Sequence, residues 1–224
     1  MAFSNSIADF LTTLNLGVDL PAGYEVLDSC QDPEVRRVVR LFAETYYAGE
    51  QQRTAIWGIN PGRFGAGVTG LAFTDPYALT TMLGIDTTIA GRRELSAEFV
   101  WMVIEAYGGA QRFFADFFMS ALSPLGFVRG GKNINFYDDT DFLLAIEPQI
   151  LAWVHEQTAA GLRADRCIVL GTGKLRHVME HQLRPHLDYV HVDYLEHPRF
   201  IMQYRRKRVG EYVDKYVETL LRNR

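Results

Sequence analysis

The sequence predicts an α/β protein: a three-layer α/β/α domain around a central, mostly parallel four-stranded sheet. Four short segments rich in β-branched and aromatic residues alternate along the chain with segments of helical spacing. Parallel strands need such crossover connections. The chain has 224 residues, of which 48% are hydrophobic, and this is enough for one sizeable core. We therefore expect a single domain over residues 1–224, with a core at 51–224 and a helical N-terminal extension at 1–50.

Two helices are predicted before the first strand. Apolar spacing indicates a helix at 7–14 and a second at 33–47, where Asp32 is a suitable N-cap and Pro33 takes the first helical position. The segment 53–59 is rich in β-forming residues. It ends at Asn60-Pro61-Gly62, which cannot continue a strand because proline lacks an N–H donor and glycine favours turns. We expect the two helices to brace the sheet.

Helices and strands then alternate through the rest of the chain. Helical spacing at 96–107 ends at Gly108-Gly109, and a further helix is expected at 111–117. The remaining predictions are strands at 117–122, 166–170 and 189–194, a polar loop or hairpin at 129–139, and helices at 140–147, 149–159 and 174–183.

Residues able to bind or react follow all four predicted strands. Asn60 follows the first strand, Ser123 the second, Gly171 the third and His197 the fourth. Ligands of parallel α/β sheets bind beyond the carboxyl ends of the strands. The sequence therefore predicts one pocket with these four positions at its edge.

A glycine-rich loop follows the first strand. Glycines at 62, 65, 67 and 70 let the backbone approach a ligand closely and aim its N–H groups inward. Phe64 and Phe73 lie in the same stretch, and aromatic rings are costly on a solvated loop unless they pack on the body or a ligand. The arrangement is typical of a binding loop, although a surface turn anchored by core phenylalanines would show the same residues.

Composition sets broader limits. The net charge of −4 argues against a protein that coats nucleic acid through its whole-molecule field. Two cysteines are too few for a disulfide framework, so a reducing cytoplasm is expected, with nucleoid association if the source is bacterial. We expect no membrane segment, because no run of about 20 apolar residues occurs. His177 and His181 have one-face spacing without a glutamate between them, so no metal site is predicted.

A local basic segment nevertheless lies near the C-terminus. Its cations alternate with apolar and aromatic side chains, the mixture that grips phosphates while another side chain enters a duplex. A solvated helix face is an equally compatible interpretation. The DNA-contacting candidates of this segment are Arg199, Phe200, Met202, Tyr204, Arg205, Arg206 and Lys207.

Two motifs resemble those of a known enzyme family. Gly58-Ile59-Asn60-Pro61-Gly62, followed by Phe64-Gly65, Thr69-Gly70 and Phe73, resembles the first motif of the uracil-DNA glycosylase superfamily in its single-strand-selective monofunctional branch. His197-Pro198 resembles the second motif. Weaker similarity covers Ser123-Pro124-Leu125, Gly131-Lys132-Asn133 and Gly171-Thr172-Gly173, so that the resemblance extends over residues 50–210.

The resemblance implies an enzyme that hydrolyses the N-glycosidic bond of uracil or a related damaged pyrimidine in DNA. Such cleavage requires a positioned water on one side and stabilisation of the departing anion on the other. Asn60 is suited to hold the water and His197 to donate a hydrogen bond to the pyrimidine O2, the roles of the matching residues in the family. Phe73 would stack on the flipped base, with Phe64 close by, and Gly62 and Gly65 would leave room beside its C5 edge.

The sequence departs from the family pattern at two places. Where the branch has an asparagine that reads the base edge, this chain has Ala121, which cannot do so. The contact is then expected from Ser120, Ser123, Asn133 or Asn135; alternation places both asparagines on one side of an extended segment. The second departure follows His197-Pro198, where the chain lacks the branch's Ser-Pro-Arg-Asn type sequence. The residue that fills the gap left by the flipped base is therefore open among Phe200, Met202 and Tyr204.

We predict a monofunctional DNA glycosylase of base-excision repair that leaves an abasic site, needs no cofactor or metal, and acts as a monomer on single- or double-stranded DNA. No lysine occupies a motif position from which it could form a Schiff base. Gly171 and Lys174, at a predicted helix start, would contact a DNA phosphate. The alternatives are a catalytically silent DNA-binding module of the same fold and a hydrolase of small nucleosides or nucleotides.

Overall fold

The computed structural model describes residues 2–224, and its elements alternate much as the sequence predicts. In chain order the helices are α1 (Phe3–Thr12), α2 (Pro33–Tyr46), α3 (Ala66–Thr69), α4 (Leu95–Tyr107), α5 (Ala110–Asp116), α6 (Thr140–Ala159), α7 (Lys174–Val178), α8 (Pro198–Tyr204) and α9 (Val209–Asn223). The strands are β1 (Tyr24–Leu27), β2 (Arg53–Gly58), β3 (Phe117–Ala121), β4 (Gly126–Arg129), β5 (Lys132–Ile134), β6 (Leu162–Leu170) and β7 (His191–Leu195). Single 3₁₀ turns lie at Ser29–Gln31, Arg184–His186 and Arg206–Arg208, and π-helical turns at Ala78–Met82 and Met179–Leu183.

The larger sheet has the order β3-β2-β6-β7, and its strands are all parallel. Helices cover both of its faces. Every residue of β2 is buried as a result, which explains why Ala55, Ile56 and Trp57 follow one another without an alternating polar residue. The predicted three-layer fold is confirmed, and the carboxyl ends of β2, β3, β6 and β7 share one edge of the sheet.

A second, antiparallel sheet with the order β1-β4-β5 was not predicted. Its strand β1 lies inside the N-terminal extension, which is therefore not purely helical, and it pairs with β4 from Tyr24 opposite Arg129 to Leu27 opposite Gly126. Strands β4 and β5 form a hairpin that turns at Gly130 and Gly131, both with positive φ. Of the loop and the hairpin that the sequence left open for 129–139, the structure therefore has the hairpin. Strands of three or four residues are too short to show a recognisable pattern.

Helix α6 differs from the two helices predicted on either side of Pro148. It runs unbroken from Thr140 to Ala159, because Ile146 and Ile150 continue one fully buried face across the proline. Pro148 has no N–H, so the carbonyl oxygen of Leu144 loses its helical hydrogen bond. Leu144 is on the exposed face of the helix, with its side chain 62% exposed, so water can bond this carbonyl oxygen instead. Packing therefore outweighs the local cost of the proline.

The N-terminal extension is attached to the sheet through Arg53, at the start of β2. Arg53 is fully buried, and its guanidinium donates to the carbonyl oxygens of Ala48 (2.7 Å), Phe114 (2.8 Å) and Gln51 (3.3 Å). The same group lies over the ring of Phe3 in α1, 4.7 Å from its centroid. Burial lowers the pKa of this guanidinium. One side chain thus connects α1, β2 and α5, which accords with a bracing role for the extension.

Replacing Arg53 by alanine should destabilise the protein by about 3 kcal/mol or more, because buried carbonyl groups lose their donors and a cavity forms. Denaturant unfolding followed by circular dichroism measures this change. Arg40→Ala is the matched control, since its ion pair with Asp9 is about half-exposed and should contribute about 1 kcal/mol or less. Equal effects of the two substitutions would contradict the bracing role.

Candidate active site

A cavity of about 390 Å³ opens at the carboxyl edge of the parallel sheet, a size suited to a small ligand. It is lined by residues that follow β2, β3, β5 and β7, together with parts of the glycine-rich loop. Of the four positions predicted at the edge of the pocket, Asn60 and His197 line the cavity, whereas Ser123 and Gly171 do not. Ala121, at the end of β3, lines it in place of Ser123.

Asn60 is held in a fixed orientation by the backbone beyond β5. Its Oδ1 accepts a hydrogen bond from the N–H of Phe136 at 3.1 Å, and its Nδ2 donates to the carbonyl oxygen of Ile134 at 3.1 Å. A weaker bond runs from Nδ2 to the Pro61 carbonyl at 3.3 Å. These contacts assign the amide oxygen and nitrogen unambiguously and leave Oδ1 one further acceptor position.

His197 has both its tautomer and its charge set by its position at the start of α8. Its Nδ1 accepts a hydrogen bond from the backbone N–H of Arg199 at 3.2 Å, so the neutral ring carries its proton on Nε2. Burial and the positive charge of Arg199 lower the pKa of His197 to about 4. At neutral pH the ring is therefore an uncharged donor through Nε2.

Phe73 forms an aromatic wall of the cavity in a strained backbone conformation. Its φ is +52°, a conformation that costs a bulky residue about 1 kcal/mol or more. The ring packs against Gly58, where a Cβ would come within 2.9 Å of Cε2, and lies 6.0 Å from the ring of His197. A strained residue at a pocket suggests a functional constraint.

Glu94 lines the same cavity and was not recognised in the sequence. A Cβ added to Gly62 would lie 3.3 Å from its Oε1, and one added to Gly65 would overlap its Oε2. Burial raises the pKa of this carboxyl group. The room that the two glycines were expected to leave for a base is thus partly occupied by a carboxylate. No motif pointed to Glu94, because it ends an irregular segment distant in sequence from Asn60.

Asn133 and Asn135 both line the cavity, as their alternation in the sequence predicts. The Nδ2 atom of Asn135 donates to Asp138 at 3.3 Å, whereas Asn133 makes no side-chain hydrogen bond to another described residue. Its Nδ2 lies 3.2 Å from the Cβ position of Gly62. Asn133 is therefore the freer of the two amides to contact a ligand beside Ala121.

Three of the other residues expected to contact the base are oriented elsewhere. Ser120 touches the cavity, but its hydroxyl donates to Gln157 at 2.7 Å, and the fully buried Ser123 donates to the carbonyl of Leu125 at 2.7 Å. Phe64 is 42% exposed and lies outside the cavity, with the guanidinium groups of Arg63 and Arg92 over its ring. The predictions for Ser123 and Phe64 were wrong, because both side chains lie outside the cavity. A base contact by Ser120, which lines the cavity, stays a prediction.

The basic segment forms part of the cavity rim. Arg199, Phe200 and Tyr204 line it, and the rings of Phe200 and Tyr204 are exposed with their centroids 5.5 Å apart. Arg205 stacks over Phe200 at 5.3 Å. The proposed insertion of Met202 is wrong, because helix α8 turns that side chain inward and leaves it 3% exposed.

Some cations of this basic segment form ion pairs with glutamates, and others do not. Arg206 pairs with Glu98 at 3.1 Å and Arg208 with Glu211, whereas Arg199, Arg205 and Lys207 pair with no carboxylate among residues 2–224. The unpaired cations are those that an anionic ligand could engage without first displacing a carboxylate.

The start of α7 does not support a phosphate site as predicted. Gly171 is buried, and its N–H is bonded to the carbonyl of Val169 at 3.1 Å. Lys174 is exposed but lies over the ring of Tyr137 at 5.7 Å, with a weak contact to the Asp138 carbonyl. The glycine therefore has no donor to offer to a DNA phosphate.

Two further observations concern ligands and membranes. Within residues 2–224, no three histidine, cysteine, aspartate or glutamate side chains come together in a metal-binding arrangement. None of the helices in that part of the chain combines the length and the apolar character needed to span a bilayer.

Comparison with known proteins shows a match over most of the chain. A family model described as the uracil DNA glycosylase superfamily matches residues 45–221. Among solved structures, the chain is similar to the crystal structure of wild-type SMUG2 from Pedobacter heparinus, with a TM-score of 0.89 and 34% sequence identity. The alignment covers 98% of this chain and 97% of that one. No curated protein sequence matches the chain.

The lowered pKa of His197 can be tested by NMR of its ring nitrogens. We expect the Nε2–H tautomer to persist down to about pH 5, with protonation centred near pH 4. The same shift should reduce the free energy of unfolding as the pH falls from about 6.5 towards 4, because the unfolded chain then binds a proton that the folded one does not. Titration near pH 6.5, or an Nδ1–H tautomer, would contradict the assignment.

Proposed function

This chain belongs to the uracil-DNA glycosylase superfamily, and we propose that it excises uracil or a related damaged pyrimidine from DNA and leaves an abasic site. The observation that carries the proposal is the meeting of Asn60, Phe73 and His197 in one cavity, with both polar side chains oriented by backbone hydrogen bonds. Each of the three supplies one requirement of glycosidic cleavage.

His197 would stabilise the leaving base. As the bond between C1′ and the base nitrogen breaks, the electron pair moves onto the base, and negative charge grows on the pyrimidine O2. A neutral imidazole with its proton on Nε2 can donate a hydrogen bond to that oxygen without carrying a charge in the free enzyme. Because Nδ1 is engaged by Arg199, the ring needs no reorientation when the charge develops.

Asn60 would position the attacking water. One acceptor position of Oδ1 is used by the Phe136 N–H, and the second is free to accept a hydrogen bond from a water molecule in the cavity. An amide is a weak base, so its contribution is orientation rather than proton removal. An oxocarbenium-like sugar is electrophilic enough to react with a water that is held in place.

The walls of the cavity would hold and identify the base. Phe73 offers a ring on which a flipped pyrimidine can stack, and stacking of this kind contributes about 1–3 kcal/mol per base. Asn133 presents an amide that is free to bond the base edge where Ala121 cannot. Asn135 would assist from the same side, although its Nδ2 is already bonded to Asp138.

A monofunctional reaction is supported by the composition of the cavity wall. Enzymes that also cleave the strand form a Schiff base between an amine and the sugar C1′. No lysine lines the cavity among the residues described. Water is then the nucleophile, and the product is an intact strand with an abasic site.

The rim supports DNA as the substrate rather than a free nucleoside. Phe200 and Tyr204 are exposed aromatic rings beside the cavity mouth, so one of them would fill the gap that a flipped nucleotide leaves. Arg199, Arg205 and Lys207 have no carboxylate partner within residues 2–224, and they would bind the phosphates on either side of that nucleotide.

Replacing Asn60 or His197 by alanine should lower the single-turnover rate of uracil excision about 10²–10³-fold, because each substitution removes a group that acts in the transition state. The assay uses single- and double-stranded oligonucleotides with one uracil, followed by alkaline cleavage of abasic sites. Scission should depend on both the uracil and the alkali.

Binding to the same oligonucleotides distinguishes the rival functions. Asn60→Ala should retain DNA affinity, because the substitution leaves the basic rim unchanged. A wild-type protein that binds DNA without releasing any base would indicate a silent binding module. Release of base from free nucleosides but not from oligonucleotides would indicate a small-molecule hydrolase.

The combined substitution Arg205→Gln and Lys207→Gln should weaken DNA binding and reduce the dependence of affinity on salt. Each phosphate contact contributes about 0.7–0.9 to the slope of log K against log salt, so the slope should fall by up to about 2. Arg40→Gln, whose ion pair with Asp9 lies on α1 and α2, is the control. An unchanged slope would show that the rim does not bind phosphates.

A further inference from the structure

We propose that Arg63 and Arg92, held on the exposed ring of Phe64, form a second phosphate-binding site for the DNA strand that enters the cavity. This role rests on the proposed function, because DNA is taken as the ligand. The three residues, called the Phe64 site below, lie outside the cavity and outside the basic segment at 199–208.

Two segments of the chain converge on the Phe64 ring. The guanidinium carbons of Arg63 and Arg92 each lie 5.6 Å from the ring centroid, so the two carbons are separated by at most twice that distance, about 11 Å. The ring quadrupole attracts both cations and holds them together without neutralising their charge. Both arginines are exposed and the ring is 42% exposed, so a ligand in solution can reach them.

The protein does not neutralise these cations with carboxylates. Neither Arg63 nor Arg92 forms an ion pair within residues 2–224. The next residue, Arg93, extends the positive surface, with its guanidinium carbon 3.9 Å from the ring centroid of the exposed Tyr77 and likewise no ion pair in that part of the chain. A phosphate can therefore bind here without first displacing a carboxylate.

Both segments of the Phe64 site lead directly from the cavity wall. Gly62 and Glu94 line the cavity, and they lie one residue before Arg63 and two residues after Arg92. Two residues span at most about 7 Å, so the site is next to the cavity.

The backbone of both segments is fixed by hydrogen bonds. The Gly67 N–H donates to the carbonyl oxygen of Gly62 at 3.0 Å and closes the loop that carries Phe64. The Glu94 N–H donates to Oδ2 of the buried Asp75 at 2.7 Å and holds the other segment. The two cations are thus brought together before a ligand arrives, which lowers the cost of binding.

A DNA strand fits this position. When one nucleotide is flipped into the cavity, the strand continues past the cavity wall in two directions and carries one negative charge per nucleotide. The net charge of the whole chain is −4, so DNA must be attracted by local groups of cations. A local site such as this one can contact the strand on only one side of the flipped nucleotide.

The test is single-turnover excision of uracil at increasing enzyme concentration, which gives the concentration for half-maximal rate, K1/2. Single-stranded oligonucleotides with one uracil are lengthened stepwise on its 5′ or its 3′ side. The variants are Arg63→Gln combined with Arg92→Gln, and Phe64→Ala alone. Circular dichroism checks the fold of each.

The control variant combines Arg112→Gln with Arg40→Gln and removes the same total charge. Arg112 also lies over an aromatic ring, with its guanidinium carbon 5.0 Å from the centroid of Tyr107. It belongs to α5, which ends where β3 begins, so it lies at the amino edge of the parallel sheet and away from the cavity.

We expect the double variant at Arg63 and Arg92 to raise K1/2 roughly tenfold on the longest oligonucleotide. It should lose the affinity gained by lengthening on one side of the uracil and keep the gain on the other side. The slope of log K1/2 against log salt should fall by up to about 1.4, because each phosphate contact on a single strand contributes about 0.7. Phe64→Ala should raise K1/2 by a smaller factor, since both cations remain but lose the ring that positions them. The control should match the wild type.

Other outcomes would refute the Phe64 site while leaving the proposed function intact. Equal K1/2 values in the double variant and an active wild type would do so. An equal loss in the control, or a loss on both sides of the uracil, would indicate an effect of overall charge. A loss in Phe64→Ala alone would assign the ring to base stacking and overturn the phosphate role.

A wild type that excises no uracil would overturn the proposed function, and fluorescence anisotropy with the same oligonucleotides would then test the Phe64 site separately. Weaker binding by the double variant than by the wild type and the control would support the site. Equal binding by all three proteins would overturn both proposals.

Discussion

The side-chain amide of Asn60 connects the two sheets of this protein, and the geometry of the site depends on that connection. Asn60 directly follows the parallel sheet at the end of β2, while its partners Ile134 and Phe136 lie at the end of the antiparallel hairpin. An amide that bonds both a carbonyl and an N–H of another segment cannot rotate without losing both bonds. The antiparallel sheet is therefore a support that orients the residue placed by the parallel sheet.

The electrostatic design of the site separates neutral donors inside the cavity from cations at its rim. His197 is kept uncharged by its enclosure and by the nearby Arg199, which lines the same cavity. A cation inside the pocket would bind phosphate or chloride in the free enzyme, whereas a neutral donor gains strength only as the base becomes anionic. Glu94 lies in the same cavity, where its backbone N–H donates to Asp75 and its Oε2 accepts from the Ser96 hydroxyl.

Much of this arrangement could be predicted from the sequence, because it depends on local pattern and on the common edge of parallel strands. The strand β2, the turn at Asn60 and the position of His197 after β7 are of this kind. Glu94 and the sheet that contains β1 could not be found, since both depend on contacts between segments distant in sequence. Met202 was misplaced because the helix α8 was not recognised, and only helical periodicity shows that it faces the core with Ile201.

The strained conformation of Phe73 shows how the loop prepares the cavity before any ligand enters. The Thr69 hydroxyl accepts from the Leu71 N–H at 3.2 Å and donates to the Thr74 carbonyl at 2.6 Å, which closes the chain tightly around Phe73. Gly58 provides the space in which the ring rests. Because these bonds hold the ring in place, the free energy of binding need not be spent on ordering it. The cost of base flipping is then mainly that of unstacking the nucleotide, which is smallest in single strands and at damaged pairs.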